Sequence, residues 1–337
     1  LKKHYTSKGK CYVCKNLFCN LSHFLKLMLD LSLNYEFQTY GIGIMIKPSI
    51  VDRDDFLRSK YQLKGIDSVK TDIAKELMKS FTKKTTKIMD PVDPEITFTV
   101  NIKDESCQLR SKSIVVSGRY VKSERGYAQK QKSCDNCSGK GCRICNFHGI
   151  SEFTSVEGII SKLIFKKFGG TTAKFTWIGG EDESSLVLGS GRPFFVKINN
   201  PSKRNPKLNN EKLDYLSLFN LKLVNESPKS PLIFHSKIKI KISTVSQIDS
   251  KHLKKLKDLT STPILICEKS GKCYEKKIFN LKYKKNSMTQ ITIIITAEGG
   301  LPVKRFITGD DVSPNISTLF STSCVAQEFD FLDIFVK

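Results

Sequence analysis

Residues 179–198, GGEDESSLVLGSGRPFFVKI, hold the groups best suited to chemistry. An acidic pair, Glu181 and Asp182, sits in a glycine-flanked turn after a strand-like run ending at Trp177 and Ile178. A carboxylate fixed on a turn between strands can act as nucleophile or general base. Asp and Glu are also ordinary turn formers, so composition alone does not choose between the two readings. Gly189, Ser190 and Gly191 make a second turn ahead of Arg192 and Pro193. That GxG is too short to be a nucleotide-binding fingerprint.

The cysteines offer a second chemistry. Eleven are present, and six fall in C-x-x-C pairs: Cys11/Cys14, Cys134/Cys137 and Cys142/Cys145. In CDNCSGKGCRIC the last two pairs can each give two thiolates to a tetrahedral zinc. Their four-residue spacer is shorter than the ~15–20 residues of common ribbons, so a glycine-rich turn with free thiols competes. Cys11 and Cys14 form half a site. Cys19 and His23 complete it on paper, as would a pair upstream of residue 1. Residues 1–10 are basic and polar with no apolar secretory core. The pairs therefore read as metal or redox chemistry in a reducing compartment rather than as disulfides. Residue 1 is Leu rather than Met, so an upstream segment is expected.

The third feature is charge. Lys plus Arg number 56 against 33 Asp plus Glu, a net +23 that favours polyanionic partners. Lys237, Lys239 and Lys241 alternate with Ile238, Ile240 and Ile242, which on a strand puts ammoniums on one face and apolar groups on the other. Lys251, Lys254, Lys255 and Lys257 decorate a helix whose buried side is Leu253, Leu256 and Leu259, and Lys282, Lys284 and Lys285 add a third cluster. One such run is usually a solvated face; three on so basic a chain point to nucleic acid. Lysines position phosphates and do not read sequence. No run approaches the ~18 apolar residues of a membrane span.

These groups need a scaffold, and 337 residues suffice for about two domains at ~150 residues each. Leu21, Phe24, Met28 and Leu31 recur at helical spacing after Asn20. A strand is expected over residues 35–47. A helix follows from Ser68, with Val69, Ile73, Leu77 and Phe81 on one stripe. Strands over 96–102 and 113–120 complete a compact α+β module. Residues 123–150 read as a junction. Beyond it come a helix carrying Val156, Ile159, Ile160 and Leu163, and strands near 175–178, 194–198, 237–245 and 289–296. Residues 199–212 read as a polar, basic insertion.

The 179–194 stretch resembles the signature G-R-E-D-V-D-V-R-M-L-G-x-G-R-P-F of the tRNA pseudouridine synthase family called Pus-ten. Gly179, Glu181, Asp182, Leu188, Gly189, Gly191, Arg192, Pro193 and Phe194 match in register. GRYVKSERGYAQK (118–130) resembles the family's GRY-x-K-x-x-RG-x-x-QK segment. CDNCSGKGCRICNFHG resembles its cysteine-rich stretch, and CYVCKNLF (11–18) the second cysteine pair of its N-terminal region. YEFQTYGIG, followed by Asp52 to Asp55, resembles the start of its THUMP-containing accessory domain. GLPVKRFITGD (300–310) and EFDFLDI (328–334) resemble its closing motifs.

The resemblance implies an α+β protein. A zinc-knuckle and THUMP-containing accessory domain occupies 1–130, a cysteine-rich junction 131–150, and a catalytic domain on a mainly antiparallel sheet 151–337. It implies isomerisation of uridine to pseudouridine in the tRNA T arm, at position 54 and/or 55, with Asp182 as the catalytic carboxylate. No catalytic cofactor is implied, and a structural zinc is the metal to expect. Arg192 and Lys304 are expected to hold the turn and contact RNA, beside Lys237, Lys239 and Lys241. Val303 and Phe329 stand at substrate-pocket positions, and the family's active-site Tyr falls near Ile242, with Phe234 the nearest aromatic. The family's Arg before Glu-Asp is Gly180 here, its next Asp is Ser184, and its following Arg is Leu186. An aspartate without its arginine loses a charge that keeps it ionised. The rival reading is therefore a catalytically weakened tRNA-binding protein acting as RNA chaperone or scaffold. Either reading implies tRNA as partner, no membrane, a monomer, and an intracellular location, cytoplasmic and/or nuclear. A THUMP-linked methyltransferase fits poorly, because no strand–GxGxG–helix run is present.

Overall fold

The computed structural model describes residues 10–337, which fall into two compact units. The expectations placed on residues 1–9, and on a cysteine pair upstream, lie outside the described residues.

The first unit holds residues up to 113, with 167–170 and 199–206. In order it runs α1 (Leu21–Ser32), β1 (Thr39–Met45), α2 (Pro48–Lys60), α3 (Val69–Thr85), β2 (Ile88–Met89), β3 (Ile96–Asn101) and β4 (Ser106–Ser111). The strands form a sheet in the order β2-β1-β3-β4, with β1 parallel to both neighbours and β3 antiparallel to β4. Ser68 caps α3 by accepting from the Thr71 N–H, which satisfies a donor the helix start leaves free. The stripe Val69, Ile73, Leu77 and Phe81 is buried as its spacing requires. It meets Tyr40 on β1 and Phe98 on β3, whose rings sit edge-on to Phe81 at 4.8 and 5.1 Å. Burying each such side chain contributes ~1.5–3 kcal/mol. Helix α2 has no apolar stripe and buries only Ile50. Polar ties hold it instead: Arg53 donates to the Val13 carbonyl at 2.9 and 3.0 Å, and Asp54 accepts from the Val69 N–H at 3.1 Å. The first part of the polar insertion belongs to this unit. Asn200 accepts from the Ser111 N–H at 2.8 Å, and Arg204 pairs with Glu95 at 3.4 Å.

The second unit holds 114–166, 171–198 and 207–337. Its elements are β5 (Ile114–Lys122), α4 (Val156–Phe168, shared at its end with the first unit), β6 (Ala173–Trp177), β7 (Val187–Ile198), β8 (Glu211–Leu213), β9 (Leu216–Val224), β10 (Phe234–Thr244), α5 (Ser250–Lys255), β11 (Ile264–Cys267), β12 (Cys273–Lys276), β13 (Ile278–Lys285), β14 (Gln290–Glu298), α6 (Val303–Thr308), β15 (Val312–Ser313), α7 (Ile316–Phe320) and β16 (Cys324–Val336). The main sheet runs β13-β14-β10-β16-β7-β5-β9-β8, with β6 also on β7. Only β16 and β7 pair in parallel; the other neighbours are antiparallel. A small sheet β12-β11-β15 stands beside it, its hairpin closed by a Cys267–Cys273 disulfide that the sequence reading did not single out.

Strand β5, expected in the first unit's sheet, lies instead between β7 and β9. The reason is its burial: Val115, Val116, Tyr120 and Lys122 are all buried. A strand buried on both faces belongs inside a covered sheet. The α+β class and the mainly antiparallel second sheet stand as expected. No helix among the described residues is long and apolar enough to cross a membrane.

Candidate active site

Residues 178–186 join β6 to β7, and the acidic pair divides at this turn. Gly179 starts it with φ 77°, a left-handed conformation that only glycine adopts without strain. A Cβ there would also lie 2.7 Å from both Arg192 Nη1 and the Phe234 ring. Glu181 points inward with none of its side chain exposed. Its carboxylate accepts from Tyr120 Oη at 2.8 Å and Arg192 Nε at 3.2 Å, and lies 3.4 Å from Lys122 Nζ. Asp182 points outward. Its Oδ2 accepts from Lys304 Nζ at 2.8 Å, and its Oδ1 from the Ser184 N–H at 3.1 Å and Oγ at 2.6 Å. Burial pushes the Asp182 carboxyl up, but the Lys304 and Ser184 hydrogen bonds outweigh it and leave the group below its ordinary value.

The segment 118–130 cradles this turn from below. Lys122 Nζ donates to the Tyr127 carbonyl at 3.0 Å and the Asp182 carbonyl at 3.2 Å. Gln129 donates to Tyr120 Oη at 3.0 Å and the Gly179 carbonyl at 3.3 Å. The Gly126 N–H donates to the Glu183 carbonyl at 2.8 Å, and Arg125 to the Ser184 carbonyl at 2.5 Å. Arg125 also pairs with Asp330 on β16 at 2.7 Å, and Asp330 accepts from the Leu186 N–H at 3.1 Å. Burial, and then the Glu181 charge, push the Tyr120 phenol well up, so it stays a donor. Burial lowers Lys122, with Glu181 opposing.

The expected site residues are placed unequally. Asp182 and Lys304 meet directly, although 122 positions separate them. Arg192 holds the turn, donating to the Ile178 carbonyl at 2.8 Å and lying 4.4 Å over the Phe331 ring. Its side chain is wholly buried, so contact with RNA, the other half of its expected role, has no surface here. Val303 and Phe329 are buried: Val303 precedes Lys304 on α6, and Phe329 packs edge-on to Phe331 at 5.9 Å. Ile242 lies in the sheet core, paired with Ile291 and Ala326, and is 1% exposed. All three are buried and offer no open surface to a base. The Phe234 ring fills the space above Gly179 and Gly299.

On β10 the isoleucines are buried and the lysines face outward. Lys241 forms an ion pair with Glu328. Lys237 and Lys239 make no ion pair among the described residues, although Asp333 and Asp330 stand opposite them on β16. Those carboxylates are engaged elsewhere: Asp333 accepts from the Ser190 N–H at 3.0 Å, and Asp330 is held by Arg125 and Leu186.

Cys134, Cys137, Cys142 and Cys145 converge, with their sulfurs within 4.8 Å of one another. The separations of 3.7 Å (Cys142 to Cys145) and 3.9 Å (Cys137 to Cys145) match the ~3.8 Å edge of a tetrahedron with ~2.3 Å metal–sulfur bonds. The Cys145 N–H and the Asn136 amide help pull the Cys142 thiol down to about 6. Four thiolates in this array fit a metal ion such as zinc. Cys11 and Cys14 adjoin each other, but among the described residues they join no group of three or more ligands.

The sequence assigns no role to Tyr120, Lys122, Arg125 or Gln129. Its one signal is that Tyr120 and Lys122 stand two apart on a strand, hence on one face, with an aromatic residue that favours burial beside the lysine.

Residues 115–335 match the family model described as Pus10, C-terminal, and residues 24–101 match that of the archaeal Pus10 THUMP domain. The chain is 60% identical to the tRNA pseudouridine synthase Pus10 of Nitrosopumilus maritimus, over 100% of this chain and 88% of the relative. It is 33% identical to that of Cenarchaeum symbiosum, over 98% and 82%, and 29% identical to that of Methanocaldococcus jannaschii, over 97% and 76%.

Proposed function

The chain belongs to the Pus10 family of tRNA pseudouridine synthases, and from that premise we infer that it isomerises a T-arm uridine, at position 54 and/or 55, with Asp182 as the catalytic carboxylate. The accessory unit is its THUMP-bearing part, and the large sheet unit is catalytic. The observation that carries the reading is the division of the acidic pair: Glu181 is locked inside by Arg192, Tyr120 and Lys122, while Asp182 is presented outside and paired with Lys304.

Asp182 enters the reaction ionised, because Lys304 and Ser184 stabilise its charged form. The target uridine is flipped from its stack at a cost of a few kcal/mol. The carboxylate assists cleavage of the C1′–N1 bond, by attack at C1′ or through a glycal route. The freed uracil turns and rejoins C1′ through C5, displacing the carboxylate or resaturating the glycal; the C5 proton is then lost and N1 takes one up, so the change is a net isomerisation. Lys304 orients the carboxylate, which answers the loss of the family's arginine at Gly180 and favours turnover over a purely scaffolding role. Lys237 and Lys239 supply phosphate contacts on the open face of β10. Cys134, Cys137, Cys142 and Cys145 would hold a structural zinc, which would tie the 134–149 loop together. The enzyme works as a monomer inside the cell, where its substrate resides. The test is to map pseudouridine in tRNA transcripts after incubation with the purified protein. Conversion confined to the T arm supports the reading; tight binding without conversion supports the chaperone alternative.

A further inference from the structure

We propose that Lys122 is a positioning residue for the Asp182 carboxylate, its buried ammonium fixing the backbone of the turn and supplying part of the positive field that keeps Asp182 ionised. The inference rests on Asp182 being the catalytic carboxylate. Lys122 has no exposed side-chain surface, and a charge so placed needs compensation. Its carboxylate partner, Glu181, is shared with Arg192. Two buried cations thus face one buried anion, and the surplus positive charge lies under the next residue, Asp182. The ammonium also grips the backbone just after that group, at the carbonyls of Asp182 (3.2 Å) and Glu183 (3.5 Å), and ties it to the Tyr127 carbonyl (3.0 Å). An apolar replacement does neither job.

The other charges around the turn are Lys304 from α6, Arg192 from β7, Arg125 beyond β5, Asp330 and Glu328 from β16, and Glu181 and Glu183 of the turn itself. Lys304 is exposed and screened by solvent, whereas Lys122 acts through protein and is screened far less. Position 180 has room for a substitute cation: Gly180 is not left-handed, and a Cβ there meets only the Gln129 Oε1, at 4.0 Å.

The experiment titrates Asp182 by carboxyl-carbon NMR on aspartate-labelled full-length protein, with Asp182→Asn identifying the resonance, alongside kcat/KM against pH. Lys122→Met should raise the Asp182 pKa by about one unit and move the acid limb of the rate profile with it. KM should stay within threefold of wild type. Lys122→Gln keeps a donor for the carbonyls but loses the charge, and serves if the Met variant does not fold; it should shift the titration in the same direction. Adding Gly180→Arg to either variant should bring the titration back toward wild type. A folded variant with lowered Tm but an unshifted Asp182 titration and acid limb would reduce Lys122 to a structural lysine and overturn the proposal. The NMR titration needs no turnover. If Asp182→Asn proves fully active, it is the catalytic assignment that fails, and that result is distinguishable from the failure of this inference.

Discussion

Lys304, on the short helix α6, places its ammonium 2.8 Å from Asp182, on the turn between β6 and β7. That pair brings a cation to a carboxylate whose neighbour at position 180 has no side chain to offer.

Replacing Lys304 by Met should therefore impair the reaction more than the fold. The folded Asp182 titrates below its unfolded value, so the pair stabilises above the unfolded carboxylate pKa of ~3.9 and loses that contribution as pH falls through the folded value. Because Lys304 is about half exposed, its loss should cost under ~1 kcal/mol at neutral pH. The acid limb of kcat/KM should move to higher pH. An unmoved limb would mean that Lys304 does not tune Asp182.

Arg192→Met should be costly to the fold. It leaves Glu181 buried with Lys122 and Tyr120 as its remaining partners, and breaking a buried pair from one side costs ~3–5 kcal/mol. Urea denaturation measures this. A loss below ~1 kcal/mol would show that the turn does not depend on the pair.

Metal content is a separate question. The protein as purified should carry one zinc per chain at the 134–145 cluster, and Cys134→Ser with Cys145→Ser should remove it and lower Tm. A metal-free sample whose melt is unchanged by chelator would rule out a structural ion there.

Changing Lys237, Lys239 and Lys241 together to Gln should lower the log–log salt slope of tRNA binding by about two units, since Lys237 and Lys239 lack ion pairs among the described residues while Lys241 is paired with Glu328. A slope and affinity equal to wild type across a salt series would make this face merely solvated.

Much of the fold was legible wherever one face of an element is buried. The stripe from Val69 to Phe81 and the alternation on β10 each followed from period alone. Helix α2 was not legible, because polar ties through Arg53 and Asp54 hold it where no apolar stripe exists. Strand β5 is recognisable as a strand, but its place between β7 and β9 is not, since pairing partners leave no local signal. At the site, Asp182 stood out through its glycine-flanked turn and its resemblance to the family signature. The inward Lys122 and Tyr120 did not, because a lysine in a strand reads as solvent-facing until its burial is known.

The most direct measurement is tritium release from C5-labelled uridine in tRNA by wild type and Asp182→Asn, with filter binding in parallel. The account predicts release by wild type and none above background by the variant, with tRNA affinity changed no more than a few-fold, since removing one anion should not weaken contact with a polyanion. Equal release by both proteins would contradict the assignment of Asp182.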